Sequence, residues 1–160
     1  MGAGKSAVGV MLSVRTGLPF VDVDVVIEKT SGRAITAIFD EDGELAFREV
    51  ERATIASIAS GETSIVATGG GAVLEKTNVV TMKQSGIIWL LQTDPAALRD
   101  RLGDGRGRPL LEGTDLTARL EDLMTARTAR YRDAADHVIE TTGRTPDEVA
   151  ATIEVTWLST

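Results

Sequence analysis

Gly4, Lys5 and Ser6, in that order, are residue types that hold a phosphate chain. Backbone N–H groups wrap an anion closely where glycine leaves room, a lysine reaches the outer phosphates, and a serine hydroxyl can ligate Mg²⁺. A helix starting here adds the positive end of its dipole. The three residues match the end of the pattern Gly-x-x-x-x-Gly-Lys-[Ser/Thr], whose first glycine would lie ahead of Met1. Taken alone, so short a match equally fits a glycine-rich segment that caps a helix.

Further along, Asp22-Val23-Asp24 closes a short apolar run. Two carboxylates at i and i+2 can divide their work between a metal and a substrate hydroxyl, or form a solvated acidic turn. Arg48 and Glu51, three apart on a helix, can pair; a surface ion pair is the plain reading. Thr68-Gly69-Gly70-Gly71-Ala72 carries more glycine than a tight turn needs, which suits a backbone that approaches a ligand. Arg101, Arg106 and Arg108-Pro109-Leu110-Leu111 fall in or beside a glycine-rich stretch without periodicity. Such a stretch is either a surface loop or a lid that brings arginine to phosphate. Arg127, with Arg130-Tyr131, sits on a later helix, and Arg144-Thr145-Pro146 precedes the last one, where an arginine can stack on a nucleobase.

These residues need elements to position them. Periodicity predicts a helix from Lys5 to Thr16 and a strand at Pro19–Val21 that ends in Asp22-Val23-Asp24. It continues with a helix from Val25 to Thr30, a helical face at Ala34–Phe39, a turn at Asp42-Gly43, and a long amphipathic helix from Glu44 to Ser60. Leu45, Val50, Ile55 and Ile58 are among the apolar positions of that helix. A strand at Ser64–Ala67 runs into the glycines, and Asn78–Gln84 is helical. Gly86–Leu91 is a continuous apolar run, as in a strand covered on both faces. Asp94-Pro95 opens a helix, Leu116–Asp133 forms another, His137–Glu140 is a strand, and Thr145–Glu148 caps the final helix. Four strands alternating with helices predict an α/β fold around a parallel sheet, in a single domain over 1–160 with a lid at about 103–113.

Composition narrows the partners. With 17 basic and 24 acidic residues the formal net charge is −7, so the chain as a whole repels nucleic acid and anionic membranes. An anionic ligand must then be held by a local basic cluster. The absence of cysteine removes disulfides and thiolate metal sites, and the single histidine, His137, cannot build a multi-histidine centre. No apolar run approaches the ~20 residues that cross a bilayer. A cytoplasmic location and a monomer are the expectations.

Together the pieces are far more specific than any one of them. The order phosphate loop, Asp-x-Asp, Phe-Arg-x-x-Glu, Gly-Gly-Gly, Arg-Pro-Leu-Leu, Arg-x-x-x-Tyr, Arg-x-Pro resembles the shikimate kinase family from Met1 almost to the C-terminus. The resemblance implies a three-layer P-loop kinase fold with a parallel sheet of order 2-3-1-4-5. It also implies transfer of the ATP γ-phosphoryl group to the 3-hydroxyl of shikimate, with Mg²⁺ as cofactor. On that implication Gly2, Ala3, Gly4, Lys5, Ser6 and Ala7 form the phosphate loop, with Ser6 and Asp22 serving the metal. Asp24 binds substrate hydroxyls and accepts the attacking proton. Arg48 and Arg127 grip the substrate carboxylate, and Gly69, Gly70 and Gly71 form the substrate-side turn. Arg108 approaches the transferring phosphate, while Arg101 and Arg144 contact the nucleotide. Lys5, Asp24 and Arg108 are the implied catalytic residues.

Two alternatives stay open at this level. One is another small-metabolite P-loop kinase, of gluconate type. The other is a nucleotide-binding pseudo-kinase, because the phosphate-loop pattern is only partly present. In the resembled fold the strand that feeds the loop lies upstream of it. The expectation is therefore a sheet that lacks its first strand, and a chain that is poorly soluble or inactive as written.

Overall fold

The computed structural model describes residues 3–94, 97–98 and 126–159. The expected lid, with Arg101 and Arg108, lies outside the described residues, as does Gly2.

Helix α1 (Lys5–Thr16) starts at Gly4, whose φ of 86° and ψ of 18° are left-handed, a backbone that glycine adopts without strain. Strand β1 (Phe20–Asp22) follows, and Asp22 is both its last residue and the N-cap of α2 (Val23–Ser31). The Asp22 carboxylate accepts from the Asp24 N–H at 3.1 Å. Asp24 therefore lies in the first turn of a helix, not at a strand end as periodicity predicts, because the Asp22 side chain satisfies a free helical N–H.

Helix α3 (Ile35–Ala59) is broken at Gly43, with φ 83° and ψ 171°. The turn expected at Asp42-Gly43 is thus a kink within one long element. Beyond it Phe47, Glu51, Thr54 and Ile55 face inward. Leu45, expected on the apolar face, is 85% exposed. It stands about 200° around the helix from Phe47, at about 100° per residue.

Strand β2 (Ile65–Ala67) is followed by the glycines and a 3-10 turn at Ala72–Leu74. Helix α4 (Lys76–Ser85) begins two residues earlier than expected, and β3 (Trp89–Gln92) starts three residues later. All four β3 residues are half-buried, not covered on both faces. Residues 126–134 are helical. β4 (His137–Glu140) and α5 (Pro146–Leu158) complete the described chain. The α5 start is the expected capping box: Thr145 accepts from the Glu148 N–H, and the Glu148 carboxylate accepts from the Thr145 N–H at 2.7 Å.

Every strand pairing is parallel, as helices between successive strands require. β1 pairs with β2 in the register Phe20↔Ile65 to Asp22↔Ala67, and β3 pairs with β4 from Trp89↔His137 to Gln92↔Glu140. Among the described residues these are two separate two-stranded sheets. Two apolar clusters hold the helices. Val23, Ile27, Ile38, Phe47, Ile55 and Ala72 join α2, α3 and the glycine turn. Val8, Ile139, Val149, Ala150 and Ile153 join α1, β4 and α5. The register of β1 on β2 brings Asp22 level with Ala67, so Asp24 and the glycines after Thr68 leave the sheet at the same edge. Open α/β sheets bind ligands at that edge. Among the described residues no helix is long and apolar enough to cross a membrane.

Candidate active site

The carboxyl ends of β1 and β2 gather most of the residues singled out from sequence. Ser6, in the first turn of α1, donates its hydroxyl to the Asp22 carboxylate at 2.7 Å. This bond ties the start of α1 to the end of β1. The positive charge of Lys5 is close enough to favour ionisation of Asp24. It does not dominate: burial, followed by the neighbouring charge of Asp22, pushes the Asp24 carboxyl above the ordinary carboxylate range.

Opposite Asp24 stands a charged cluster on the second half of α3. Arg48 donates through Nη1 to Glu51 at 2.7 Å. Its Nε and Nη2 both donate to one oxygen of Glu44, at 3.3 and 3.0 Å. The Phe47 ring lies 5.2 Å beneath the guanidinium carbon. Burial works against the charge on Arg48, but its bonds to Glu51 and Glu44 outweigh that and hold it firmly protonated.

Glu51 is fully buried. Desolvation raises its pKa, while Arg48 opposes the shift. One carboxylate oxygen takes the Arg48 bond; the other, Oε1, has no hydrogen-bond partner among the described residues. The Arg-x-x-Glu spacing predicts the pair but not its depth, and the surface ion pair of the plain reading is instead a buried one.

The glycine turn is where these groups meet. A Cβ on Gly69 would stand 3.0 Å from Glu51 Oε1 and 3.1 Å from Asp24 Oδ1, and one on Gly71 would overlap the Arg48 guanidinium. The two glycines therefore let α2, α3 and the β2 loop close on one another. Gly70 adds a third link: its carbonyl accepts from the Tyr131 hydroxyl at 2.7 Å, fixing the helix that carries Arg127 against the turn. The Arg-x-x-x-Tyr spacing marks Tyr131 in the sequence but not this bond, which spans 61 positions.

Between the turn and β3 lies a cavity of about 180 Å³. Ala3, Lys5, Gly69, Gly70 and Arg127 line one part of it, and residues 88–93 run along another. Arg127, half-buried, thus faces the same space as Lys5 and the glycines. Ala7 is exposed on α1. Arg144 is turned onto α5, donating to the Glu148 carbonyl at 2.8 Å and to the Thr152 hydroxyl at 2.5 Å, and does not line this cavity. Among the described residues no cluster of three or more His, Asp or Glu side chains could cage a metal.

Arranged this way, the site offers a lysine and a helix N-terminus for phosphate, a hydroxyl–carboxylate pair suited to a hard cation, a carboxyl of raised pKa, and an arginine fork. The comparisons with known proteins agree with that chemistry. The family model for shikimate kinase matches residues 1–157. A shikimate kinase of Symbiobacterium thermophilum is 42% identical over 96% of this chain and 89% of its own. One from Thermodesulfovibrio yellowstonii is 39% identical over 96% and 88%. Among solved structures, shikimate kinase from Acinetobacter baumannii in complex with shikimate superposes with a TM-score of 0.95 at 35% identity, covering 99% of this chain and 89% of that one. The enzyme from Aquifex aeolicus gives 0.82 at 28% identity, over 99% and 92%. The cluster at the carboxyl ends of β1 and β2 therefore sits in a P-loop kinase fold, and the chain belongs to the shikimate kinase family.

Proposed function

We propose that this chain transfers the γ-phosphoryl group of ATP to the 3-hydroxyl of shikimate, giving shikimate 3-phosphate and ADP on the way to chorismate and the aromatic amino acids. The observation that carries the reading is the meeting of Asp24 and Arg48 on one glycine turn, with Lys5 beside them. A carboxylate-bearing polyol needs both an arginine fork and a hydroxyl-binding carboxylate; gluconate shares that chemistry, and the match to the shikimate kinase family favours shikimate.

In this reading the backbone at Gly2, Ala3 and Gly4 and the start of α1, Ser6 and Ala7, enclose the phosphates. Lys5 and Arg108 neutralise the charge that develops on the γ-phosphoryl oxygens. Arg48 and Arg127 bind the carboxylate, Gly69, Gly70 and Gly71 receive the ring, and Arg101 and Arg144 contact the nucleotide. Asp24 orients the 3-hydroxyl and takes its proton as the oxygen bonds to the γ-phosphorus. The bond to the β-phosphate oxygen breaks, and ADP leaves with the electron pair. The raised pKa of Asp24, caused by burial, suits a group that must accept a proton.

The Ser6 hydroxyl and Asp22 carboxylate are hard oxygen donors. They are few enough to suit Mg²⁺, which keeps waters and phosphate oxygens in its shell. Ser6 and Asp22 would hold that ion, and it would offset phosphate charge. ATP and a small carboxylated polyol are cytoplasmic metabolites, which supports a cytoplasmic enzyme.

The two parallel pairs further suggest one five-stranded sheet of order 2-3-1-4-5, with a strand between Ile65–Ala67 and Trp89–Gln92. The parallel direction of both pairs supports this. Supplying ~10 strand-forming residues by fusion ahead of Met1, enough for a strand at ~3.3 Å per residue, should slow amide exchange at Leu90 and Leu91. Unchanged exchange counts against the order. The activity itself is tested by ADP release from MgATP with shikimate or gluconate. Release that depends on shikimate supports the assignment, and release with gluconate alone overturns it.

A further inference from the structure

Arg48 has two edges that can grip a carboxylate, and its partners occupy them unequally. Glu51, which takes Nη1, is 0% exposed and cannot leave without burying an unpaired charge. That engagement leaves the Nε/Nη2 edge as the one that can hold an incoming carboxylate in a fork. In this structure Glu44 already holds it, one oxygen accepting from both Nε and Nη2. Its side chain is 53% exposed against 13% for Arg48, so Glu44 can swing into solvent at little cost.

The backbone accounts for the placement. Gly43, at φ 83°, breaks α3 immediately before Glu44. The carboxylate therefore stands at the start of the second helical segment, one turn before Arg48. On the other side the guanidinium abuts Gly71, so the arginine cannot retreat from Glu44 toward the glycine turn.

We infer that Glu44 is an internal stand-in for the substrate carboxylate: it fills the Nε/Nη2 edge of Arg48 in the empty site and is displaced when substrate binds, and so sets the affinity for carboxylated ligands. This rests on the reading of Arg48 as the carboxylate grip. The stand-in keeps Arg48 oriented and charge-balanced between turnovers, and substrate must compete with it. Since an exposed i,i+4 pair is weak, the competition is modest and reversible.

The test compares Glu44→Gln, Glu44→Ala and Arg48→Lys for shikimate binding by calorimetry and for both Michaelis constants. Glu44→Gln should lower the shikimate Kd and KM by about 1.4- to fivefold, the scale of losing one such ion pair, with KM for ATP unchanged. The gain should be confined to carboxylates, so the methyl ester of shikimate binds the variant and the parent equally. A rise in the shikimate KM in both Glu44 variants would show that Glu44 orients Arg48 for substrate, and overturns the inference. So does an unchanged KM in both, provided that Arg48→Lys raises it. If Arg48→Lys is also without effect, the carboxylate grip itself has been misplaced.

Discussion

Gly71 lies flat against the guanidinium of Arg48, so closely that no side chain at position 71 can coexist with the arginine where it stands. The contact is between elements far apart in sequence: the loop after β2 and the middle of α3. It makes the glycine turn the back wall of the arginine grip. The guanidinium is held on the remaining sides by Glu51, Glu44 and the Phe47 ring.

Gly71→Ala should therefore raise the shikimate KM by roughly tenfold or more, since an ångström-scale displacement of a positioning group can cost up to ~10²-fold. The KM for ATP should stay within twofold, because the clash is with Arg48 and not with the phosphate loop. Steady-state kinetics with each substrate varied in turn will show the split. Equal loss in both constants would place the damage in the fold.

Arg127 shares the cavity with Lys5 and the glycines, on a helix that Tyr131 fastens to Gly70. Arg127→Lys keeps the charge but loses the planar fork. Shikimate binding should weaken while nucleotide affinity is retained, as measured by calorimetric titration of each ligand. The reverse pattern would move Arg127 to the nucleotide side of the site.

How far the sequence foretells this site can be judged from a few residues. Asp22, Asp24 and Arg48 stand out because their types and order are chemically uncommon, and the strand that ends at Asp22 follows from a short apolar run, although Asp24 stands in the first turn of α2. The burial of Glu51 is not legible. Its depth is decided by Gly69 and Asp24, which arrive from two other elements, and an Arg-x-x-Glu pair reads the same on a surface. Leu45 misleads for a related reason. Hydrophobicity marks it as core, but the inward face is set by Phe47, Glu51, Thr54 and Ile55, and a buried charged residue within that stripe hides its phase. The role of Gly43 is half legible: a turn is foreseen, whereas the chain resumes the helix directly after it.

Catalysis should depend on Lys5 and Asp24 in different ways. On the proposed roles, Lys5→Ala would remove charge stabilisation of the moving phosphoryl group, and Asp24→Asn would remove the proton acceptor. Each should lower kcat by at least ~10²-fold, the usual scale for such groups. Quenched-flow measurement of the first turnover separates this from slow product release. Near-normal single-turnover rates in Asp24→Asn would remove that residue from the proton's path.

The same carboxyl also makes a prediction about stability. Burial raises the pKa of Asp24 in the folded protein above its ordinary value of 3.8. Between those two values the folded chain holds a proton that the unfolded chain releases. The unfolded state then binds fewer protons, and stability falls as pH rises through that window. Asparagine carries no such proton. The stability of Asp24→Asn relative to the parent should therefore be smallest near pH 4 and grow as pH increases toward 7, reaching a plateau above the raised pKa. Solvent screening at this partly buried group will keep the gain modest. A parent that loses stability against its Asp24→Asn variant as pH rises is what a buried functional carboxylate predicts. Urea unfolding of both proteins at intervals from pH 4 to 7 measures the difference directly. If the gap between them narrows as pH rises, Asp24 is held by favourable bonds in the folded state and is not the poised base of this site.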